Sequence, residues 1–209
     1  FFYSIIYKNS TILSHQVLEG ADLKDPKVID YIQDNINSYD IIKDKNNVFY
    51  VIYSYIDKEK SSILSKKYIS DKDLWAEPLT ISEDSNNYNS LKSIIDLSDN
   101  IHICYQKQIH DAYYLVYIKK SKDLLSSNEY IISTKKTPFN NFSIALLSDT
   151  LYIFWIEENK IYYSKSSVNS TNWSKASKYT FSSNKQILCM CYKSNCHYEK
   201  NIIAPSIPG

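Results

Sequence analysis

The sequence contains no arginine, and this absence limits the chemistry available to the protein. Its 24 basic residues, all lysine, face 23 Asp and Glu, so the formal net charge is only +1. Bidentate recognition of phosphate or carboxylate normally relies on the guanidinium group. A nearly neutral chain also lacks a global field that attracts polyanions. We therefore expect no nucleic-acid partner.

Long apolar runs and cysteine are also scarce. No run approaches the roughly 18 residues of a membrane span, so we expect no membrane insertion. The four cysteines are too few for a disulfide-built scaffold and are expected as reduced thiols or at most one disulfide: Cys104, Cys189, Cys191 and Cys196. The last three, with His197, could in principle bind zinc. The alternative, small Cys side chains filling a narrow inner strand, is favoured, and we predict no metal and no cofactor.

Glycine occurs only twice, so other residues must make the turns. Asn and Asp tolerate the positive φ angles that tight hairpin turns require. Three turns built on these residues each precede an apolar run rich in Ile, Tyr and Phe: Asn46-Asn47, Asp99-Asn100 and Asp149-Thr150. Runs of this composition are typical of half-buried strands. The pattern predicts an all-β protein built from hairpins.

These hairpins repeat along the whole chain. A large apolar anchor recurs at intervals of 52, 50 and 48 residues: Leu23, Trp75, Leu125 and Trp173. Upstream of the first two anchors, the segment Ser10–Ser14 (STILS) resembles Ser61–Ser65 (SSILS). A period near 50 residues with four strands per repeat is typical of a β-propeller blade. We predict a single propeller domain over residues 1–209.

The most economical arrangement has four blades. Strands B to D of the first blade occupy residues 2–31, and complete blades follow at 38–82, 87–133 and 140–182. Residues 185–193 are predicted as the strand A that completes the first blade and closes the ring, with 194–209 as a tail. Such a splice removes the open ends of the array. Five blades, or half-rings that pair between chains, remain alternatives.

The segments around Trp75 and Trp173 resemble those of sialidase-like, Asp-box β-propellers. The Asp-box pattern, Ser-x-Asp-x-Gly-x-Thr-Trp, is degenerate here: Ser166-Ser-Val-Asn169-Ser-Thr-Asn precedes Trp173, and the glycine is missing. The resemblance implies the fold. Sialidases hold the substrate carboxylate with three arginines, and this chain has none, so the resemblance does not extend to activity. No catalytic triad is evident around the scattered histidines, and we predict that the protein is not an enzyme.

The candidate ligand site consists of aromatic-Asx pairs, expected in the loops that enter strand A of successive blades. These residues are Tyr39, Asp40, Tyr88, Asn89, Phe139 and Asn140, with Asn184 as a fourth Asx. In a propeller such loops ring one mouth of the central channel. An exposed aromatic face beside an amide or carboxylate suits a sugar ring. Alternatively, the Asx residues cap turns and the rings pack between blades.

Two functions remain open. The first is a non-catalytic, lectin-like carbohydrate-binding module on a bacterial cell, spore or secreted surface. The second is a protein-interaction or assembly platform within a larger polypeptide, with homo-oligomers possible. A glycan-active hydrolase ranks third. Rings exposed at the channel mouth favour a glycan ligand, whereas rings buried between blades favour the platform.

Overall fold

The computed structural model describes residues 1–8, 10–32, 36–57, 60–121, 128–139, 141–158 and 160–180. These residues form antiparallel strands and turns and contain no helix, which confirms the all-β prediction. The predicted strand A at 185–193, the tail and the anchor Leu125 lie outside the described residues. Strand order and register divide the rest into four main sheets.

Sheet 1 has three strands in the order β1, β2, β5. They are β1 (Phe2–Tyr7), β2 (Ser10–His15) and β5 (Lys27–Ile32), and a small hairpin lies between the last two, β3 (Leu18–Glu19) with β4 (Asp22–Leu23). Gly20 makes the tip of that hairpin with a φ of +64°, a conformation that glycine adopts without strain. Because β1 is the first strand in the sheet order, it has an unpaired edge within the described part of the chain.

Sheets 2, 3 and 4 each follow the chain in a four-stranded meander. Sheet 2 contains β6 (Ile36–Lys43), β7 (Phe49–Asp57), β8 (Lys60–Ile69) and β10 (Leu79–Asp84), with the short β9 (Leu74–Trp75) also paired to β8. Sheet 3 contains β11 (Asn87–Ile95), β12 (Ile101–Ile109), β13 (Ala112–Lys120) and β14 (Glu129–Lys135). Sheet 4 contains β15 (Phe142–Leu147), β16 (Thr150–Glu157), β17 (Lys160–Ser167) and β18 (Ser177–Thr180).

Side-chain alternation buries both faces of the inner sheets. In β7, Val51 and Tyr53 pack with sheet 1, whereas Ile52 between them packs with sheet 3. In β12, Ile103 packs with sheet 2 and Cys104 packs with sheet 4. Successive residues of a strand point to opposite faces, so each inner sheet contributes to two cores. We call the face toward the preceding sheet the N-side face and the opposite one the C-side face.

In the turns that join the first two strands of sheets 2, 3 and 4, an Asx residue or Ser adopts positive φ in place of glycine. Asn47 and Asp99 have a φ of 63° in the turns that join the first two strands of sheets 2 and 3. In the corresponding turn of sheet 4, Ser148 has a φ of 52°. Two of the three turns therefore use the predicted residues, and the third uses the residue before Asp149.

The predicted correspondence between Ser10–Ser14 and Ser61–Ser65 is wrong, because the structure shifts the two segments by one residue relative to it. The tip pair Tyr7 and Ser10 corresponds to Asp57 and Lys60, so Leu13 matches Ile63 rather than Leu64. Leu13 and Ile63 are both buried on the C-side face of their sheets. A shift of one residue moves every side chain of a strand to the opposite face. Sequence similarity does not reveal such a shift where both faces of the strand are apolar.

The Trp-led segments join neighbouring sheets. The Trp75 indole Nε1 donates to Nδ1 of His15 in sheet 1 at 3.1 Å, and burial together with the Lys27 charge lowers the pKa of His15, which favours the neutral ring as acceptor. Trp173 packs edge-on against Tyr117 of sheet 3 at a centroid distance of 4.8 Å. Leu23, the anchor of sheet 1, has no preceding sheet among the described residues and is 53% exposed.

The burial between sheets predicts which substitutions destabilise the fold. Ile103→Ala removes a fully buried side chain from the core between sheets 2 and 3 and should lower the free energy of unfolding by about 2–5 kcal/mol. Ile131→Ala, on the exposed surface of sheet 3, should change it by about 0.5 kcal/mol or less. Urea unfolding of both variants measures the difference, and equal losses would contradict the proposed core.

Candidate functional site

Two of the predicted aromatic-Asx pairs lie within the first strands rather than in the loops ahead of them, which corrects that part of the prediction. Tyr39 and Asp40 lie within β6, and Tyr88 and Asn89 lie within β11. Pairing with the second strand continues past a register shift near the start of both β6 and β11, so these strands begin earlier than their apolar runs indicate. Phe139 does precede its strand. Asn140 and Asn184 lie outside the described residues.

Two of the three predicted rings are buried between sheets. Tyr88 is 1% exposed, and its hydroxyl lies 3.0 Å from Oγ of Ser82 in sheet 2. Phe139 is 3% exposed in the core between sheets 3 and 4, with Lys135 Nζ 4.4 Å from its ring centroid. A ring that stacks on a sugar needs a free face. The burial of these two rings favours the packing role over the ligand role.

Asp40 joins the first strands of sheets 2 and 3. Its Oδ2 accepts hydrogen bonds from the backbone N of Ser93 at 2.6 Å and from Ser93 Oγ at 3.1 Å. Ser38 makes a similar link, because its Oγ accepts from the backbone N of Leu91 at 3.0 Å. These contacts hold β6 beside β11. Tyr39 and Asn89 are half-buried, and ligand binding by the seven residues stays a prediction.

A charge cluster around the buried Lys107, with Asp84 half-buried and Glu129 exposed, also bridges sheets 2 and 3. Lys107 Nζ lies 2.5 Å from Asp84 Oδ2 and 2.8 Å from Glu129 Oε2, and the Tyr105 hydroxyl donates to Glu129. Although burial favours the neutral amine, the two carboxylates raise the pKa of Lys107. Burial and Glu129 raise the pKa of Tyr105 far above its ordinary value. The ion pair between Lys107 and Asp84 joins sheet 3 to sheet 2.

A His-Asp pair, which the sequence analysis missed, lies within sheet 3. His102 Nε2 lies 3.0 Å from Asp96 Oδ2, and Nδ1 lies 2.7 Å from the Tyr117 hydroxyl. Such a pair orients the base in many hydrolases. Here both ring nitrogens are occupied and His102 is fully buried, so the ring has no access to a substrate. The signal was the spacing: Asp96 opens the turn and His102 follows in the next strand.

Asp96 caps its turn as Asp44 does in sheet 2. Asp96 Oδ1 accepts from the backbone N of Ser98 at 2.8 Å and of Asn100 at 2.9 Å. Asp44 Oδ1 accepts from the second and fourth residues after it, both at 2.9 Å. Burial and the Asp44 carboxylate raise the pKa of Tyr50, the counterpart of His102, to about 12. The recurring aspartate is a turn-capping residue.

Asp96 also predicts a pH dependence of stability. Burial acts to raise its pKa, but hydrogen bonds from His102 and Asn100 hold the pKa well below its usual range. The carboxylate therefore stabilises the fold fully above its unfolded pKa of about 4, and this contribution is lost as the pH falls toward the folded pKa. Asp96→Asn should cost about 1.5–3 kcal/mol at pH 7 and less at pH 3.

Urea unfolding at pH 7, 5 and 3 tests this dependence. Asp71→Asn, in an exposed turn, is the matched control and should leave stability within about 0.5 kcal/mol of the unchanged protein at each pH. A deficit of Asp96→Asn that stays constant between pH 7 and pH 3 would contradict the capping role.

A shallow groove of about 400 Å³ lies on sheet 4 and combines aromatic and polar side chains. Its lining includes Trp173, Tyr152, Asn172, Lys165 and Ser167. Trp173 Nε1 is buried and has no hydrogen-bond partner among the described residues. Aromatic rings beside amide, hydroxyl and ammonium groups can bind a polyhydroxylated ligand. The sequence repeat contains Trp173 but does not show that Tyr152 lies near it.

The N-side face of sheet 1 carries exposed apolar side chains beside the small, buried Ser10 and Ser14. Ile5 is 49% exposed, Val28 is 59% exposed and Tyr31 is 57% exposed, and strand pairing places them on the same face as Tyr3 and Ile12. Soluble proteins seldom expose contiguous apolar surface of this kind without an interaction role. At the other end, the C-side face of sheet 4 carries half-buried aromatic and aliphatic residues: Tyr152, Phe154, Ile156, Ile161 and Tyr163.

Metal and thiol chemistry find no site in the part of the chain that the structure describes. No three His, Cys, Asp or Glu side chains come together there as a metal site. Cys104 is a free, fully buried thiol, and burial raises its pKa, which makes a thiol unreactive. Among the described residues, no helix has the length and apolar character needed to span a membrane. The cysteines from Cys189 onward lie outside the description.

Comparisons with known proteins give little further information. No protein-family model matches the chain, and no match is found among curated proteins. A solved structure with some similarity is the crystal structure of polysaccharide lyase Uly1, at 4% sequence identity and a TM-score of 0.36. The alignment covers 76% of this chain and 53% of that one, so this chain spans about half of that structure's length. A similarity at this level carries no argument about function.

Proposed function

We propose that this chain is a non-catalytic module of the β-propeller type that acts as a protein-interaction platform. The fold proposal is supported by the repeated meander, by the face-to-face stacking of successive sheets, and by the position of β11 beside both β6 and β15. Adjacent first strands of this kind line the channel of a propeller. We propose that the four sheets are blades of the kind found in sialidase-like propellers and that, within one chain, they form an open array rather than a closed four-bladed ring.

The absence of catalysis is supported by the two polar clusters. The Lys107 cluster and the His102 pair are the described groups that most resemble catalytic machinery. Each is occupied by hydrogen bonds within the protein, and each lies between or within sheets. Neither presents an unoccupied base or nucleophile to a pocket, which a catalytic site requires.

The N-side face of sheet 1 carries the platform proposal. One strand position is buried in sheets 2, 3 and 4: the fourth residue before the end of the second strand. It is Tyr53 in sheet 2, Tyr105 in sheet 3 and Ile153 in sheet 4. Each of these residues is at most 1% exposed and packs on the preceding sheet. The corresponding residue of sheet 1 is Tyr3, which is half-buried, and two residues further on Ile5 is 49% exposed. The N-side face is therefore buried in sheets 2, 3 and 4, whereas in sheet 1 it is available for a partner protein.

Site-specific photo-crosslinking in the native cell tests the platform. A photoreactive amino acid at Val28 should give discrete protein adducts, because this residue is 59% exposed on the N-side face of sheet 1. The same probe at Glu77, in an exposed polar loop, is the control and should give none. Adding Ile5→Lys should abolish the Val28 adducts. Equal labelling at both positions, or no adducts at Val28, would exclude a partner on this face.

The groove on sheet 4 favours carbohydrate binding as the second candidate. Its Trp173 and Tyr152 rings, with Asn172 at the rim, form a more accessible aromatic-amide set than the buried Tyr88 and Phe139 do. A lectin-like module binds glycans through such shallow, partly apolar sites. Under this candidate the ligand site belongs to sheet 4 and not to the channel mouth.

A glycan array with the purified chain tests this second candidate. Asn172→Ala should weaken binding several-fold, as expected for the loss of one or two hydrogen bonds. Lys178→Ala lies on the same sheet, is exposed and is not part of the groove, so its binding should equal that of the unchanged protein. No binding by a folded sample, or equal binding by both variants, would argue against a glycan site in the groove.

A further inference from the structure

We propose that the N-side face of sheet 1 binds the C-side face of sheet 4 from a second copy of this chain, in a head-to-tail arrangement. This inference deepens the platform function and rests on it. It names the partner that the platform binds, and it assigns the two end faces of the array to one interface. The argument starts from the contacts that already join the sheets.

At every described interface between sheets, the same strand positions face the next sheet. The C-side face of one sheet packs against the N-side face of the next, between sheets 1 and 2, 2 and 3, and 3 and 4. Leu13 of sheet 1, Ile63 of sheet 2 and Leu115 of sheet 3 occupy corresponding C-side positions, and all are buried. The preferred partner of an N-side face in this protein is therefore a C-side face.

The corresponding C-side residue of sheet 4 is Tyr163, and it is half-buried. It lies in an aromatic group with Tyr152 and Phe154, where the ring centroids are 5.8–6.4 Å apart. This group and the exposed face of sheet 1 are the two end surfaces of one repeating series. Large aromatic side chains in adjacent strands are the residues that dominate protein interfaces.

A second copy fits better than the same chain. Each hydrophobic core of the described residues joins consecutive sheets, and none of these cores contains residues of both sheet 1 and sheet 4. A contact between two different faces is heterologous, so it closes a ring if the geometry permits and otherwise extends into an open array. Two copies would close such a ring if sheet 4 of each copy packed on sheet 1 of the other.

Mixing of two single-face variants provides a sharp test. Ile5→Lys/Val28→Lys places charge on the sheet 1 face, and Phe154→Lys places it on the sheet 4 face. The unchanged chain should self-associate in analytical ultracentrifugation, and each variant alone should do so at least tenfold more weakly. A mixture of the two variants should recover a 1:1 complex, because one intact face of each kind is then present.

Controls separate interface loss from misfolding. Ile131→Lys, an exposed apolar position of sheet 3, should leave self-association unchanged. Circular dichroism and thermal melting establish that each variant is folded. If Phe154→Lys unfolds the chain, Tyr179→Lys replaces it, because Tyr179 pairs with Ile161 on the same face of sheet 4 and is 62% exposed.

Three outcomes would overturn the head-to-tail contact. They are a monomeric unchanged chain at all accessible concentrations, a sheet 4 variant that still self-associates through sheet 1 alone, and a mixture that forms no complex. A monomer that still crosslinks another protein through Val28 would overturn this inference and leave the platform function intact. A monomer without such adducts would overturn both.

Discussion

Packing between sheets is the constraint on which this structure depends. The inner sheets bury apolar residues on both faces, so neighbours along a strand, such as Ile52 and Tyr53, belong to different cores. A sheet with two apolar faces is not stable alone in water and needs a sheet on each side. The repeats therefore stabilise one another in sequence, as in other repeat architectures. Among the described residues, sheets 1 and 4 each have a neighbouring sheet on one face only.

The polar groups follow from this packing. Asp40, Lys107 and Trp75 each bond across an interface between sheets, where an unpaired donor or carboxylate would be costly. Asp96 and His102 satisfy each other within one sheet. Polar clusters that resemble catalytic sites thus serve to orient sheets and cap turns. The proposed interaction surfaces lie at the two ends of the array, where a sheet has only one neighbouring sheet among the described residues.

Much of the secondary structure was predictable because it is encoded locally. Asn47 and Asp99 mark turns through their tolerance of positive φ, and the Ile- and Tyr-rich runs after them form strands. The site was less predictable. Tyr88 and Phe139 are residue types that can stack on a sugar, but both are buried. Their burial depends on how the neighbouring sheet packs, which is not a local property. The shift between Leu13 and Leu64 shows the same limit, because two apolar faces give no alternation to fix the register.

The all-β class, the repeat near 50 residues and the lack of arginine-based recognition can be predicted from the sequence, because they depend on composition and on residues close in the chain. The face that each strand residue occupies becomes clear only in the tertiary structure. The same is true of the packing of Trp75 and Trp173 against preceding sheets. It is also true of the exposed apolar surface formed by Ile5, Val28 and Tyr31. The physical reason is that burial is a relation between sheets. Val51 and Phe1 hold corresponding positions, yet within the described part of the chain only Val51 has a sheet packed on it.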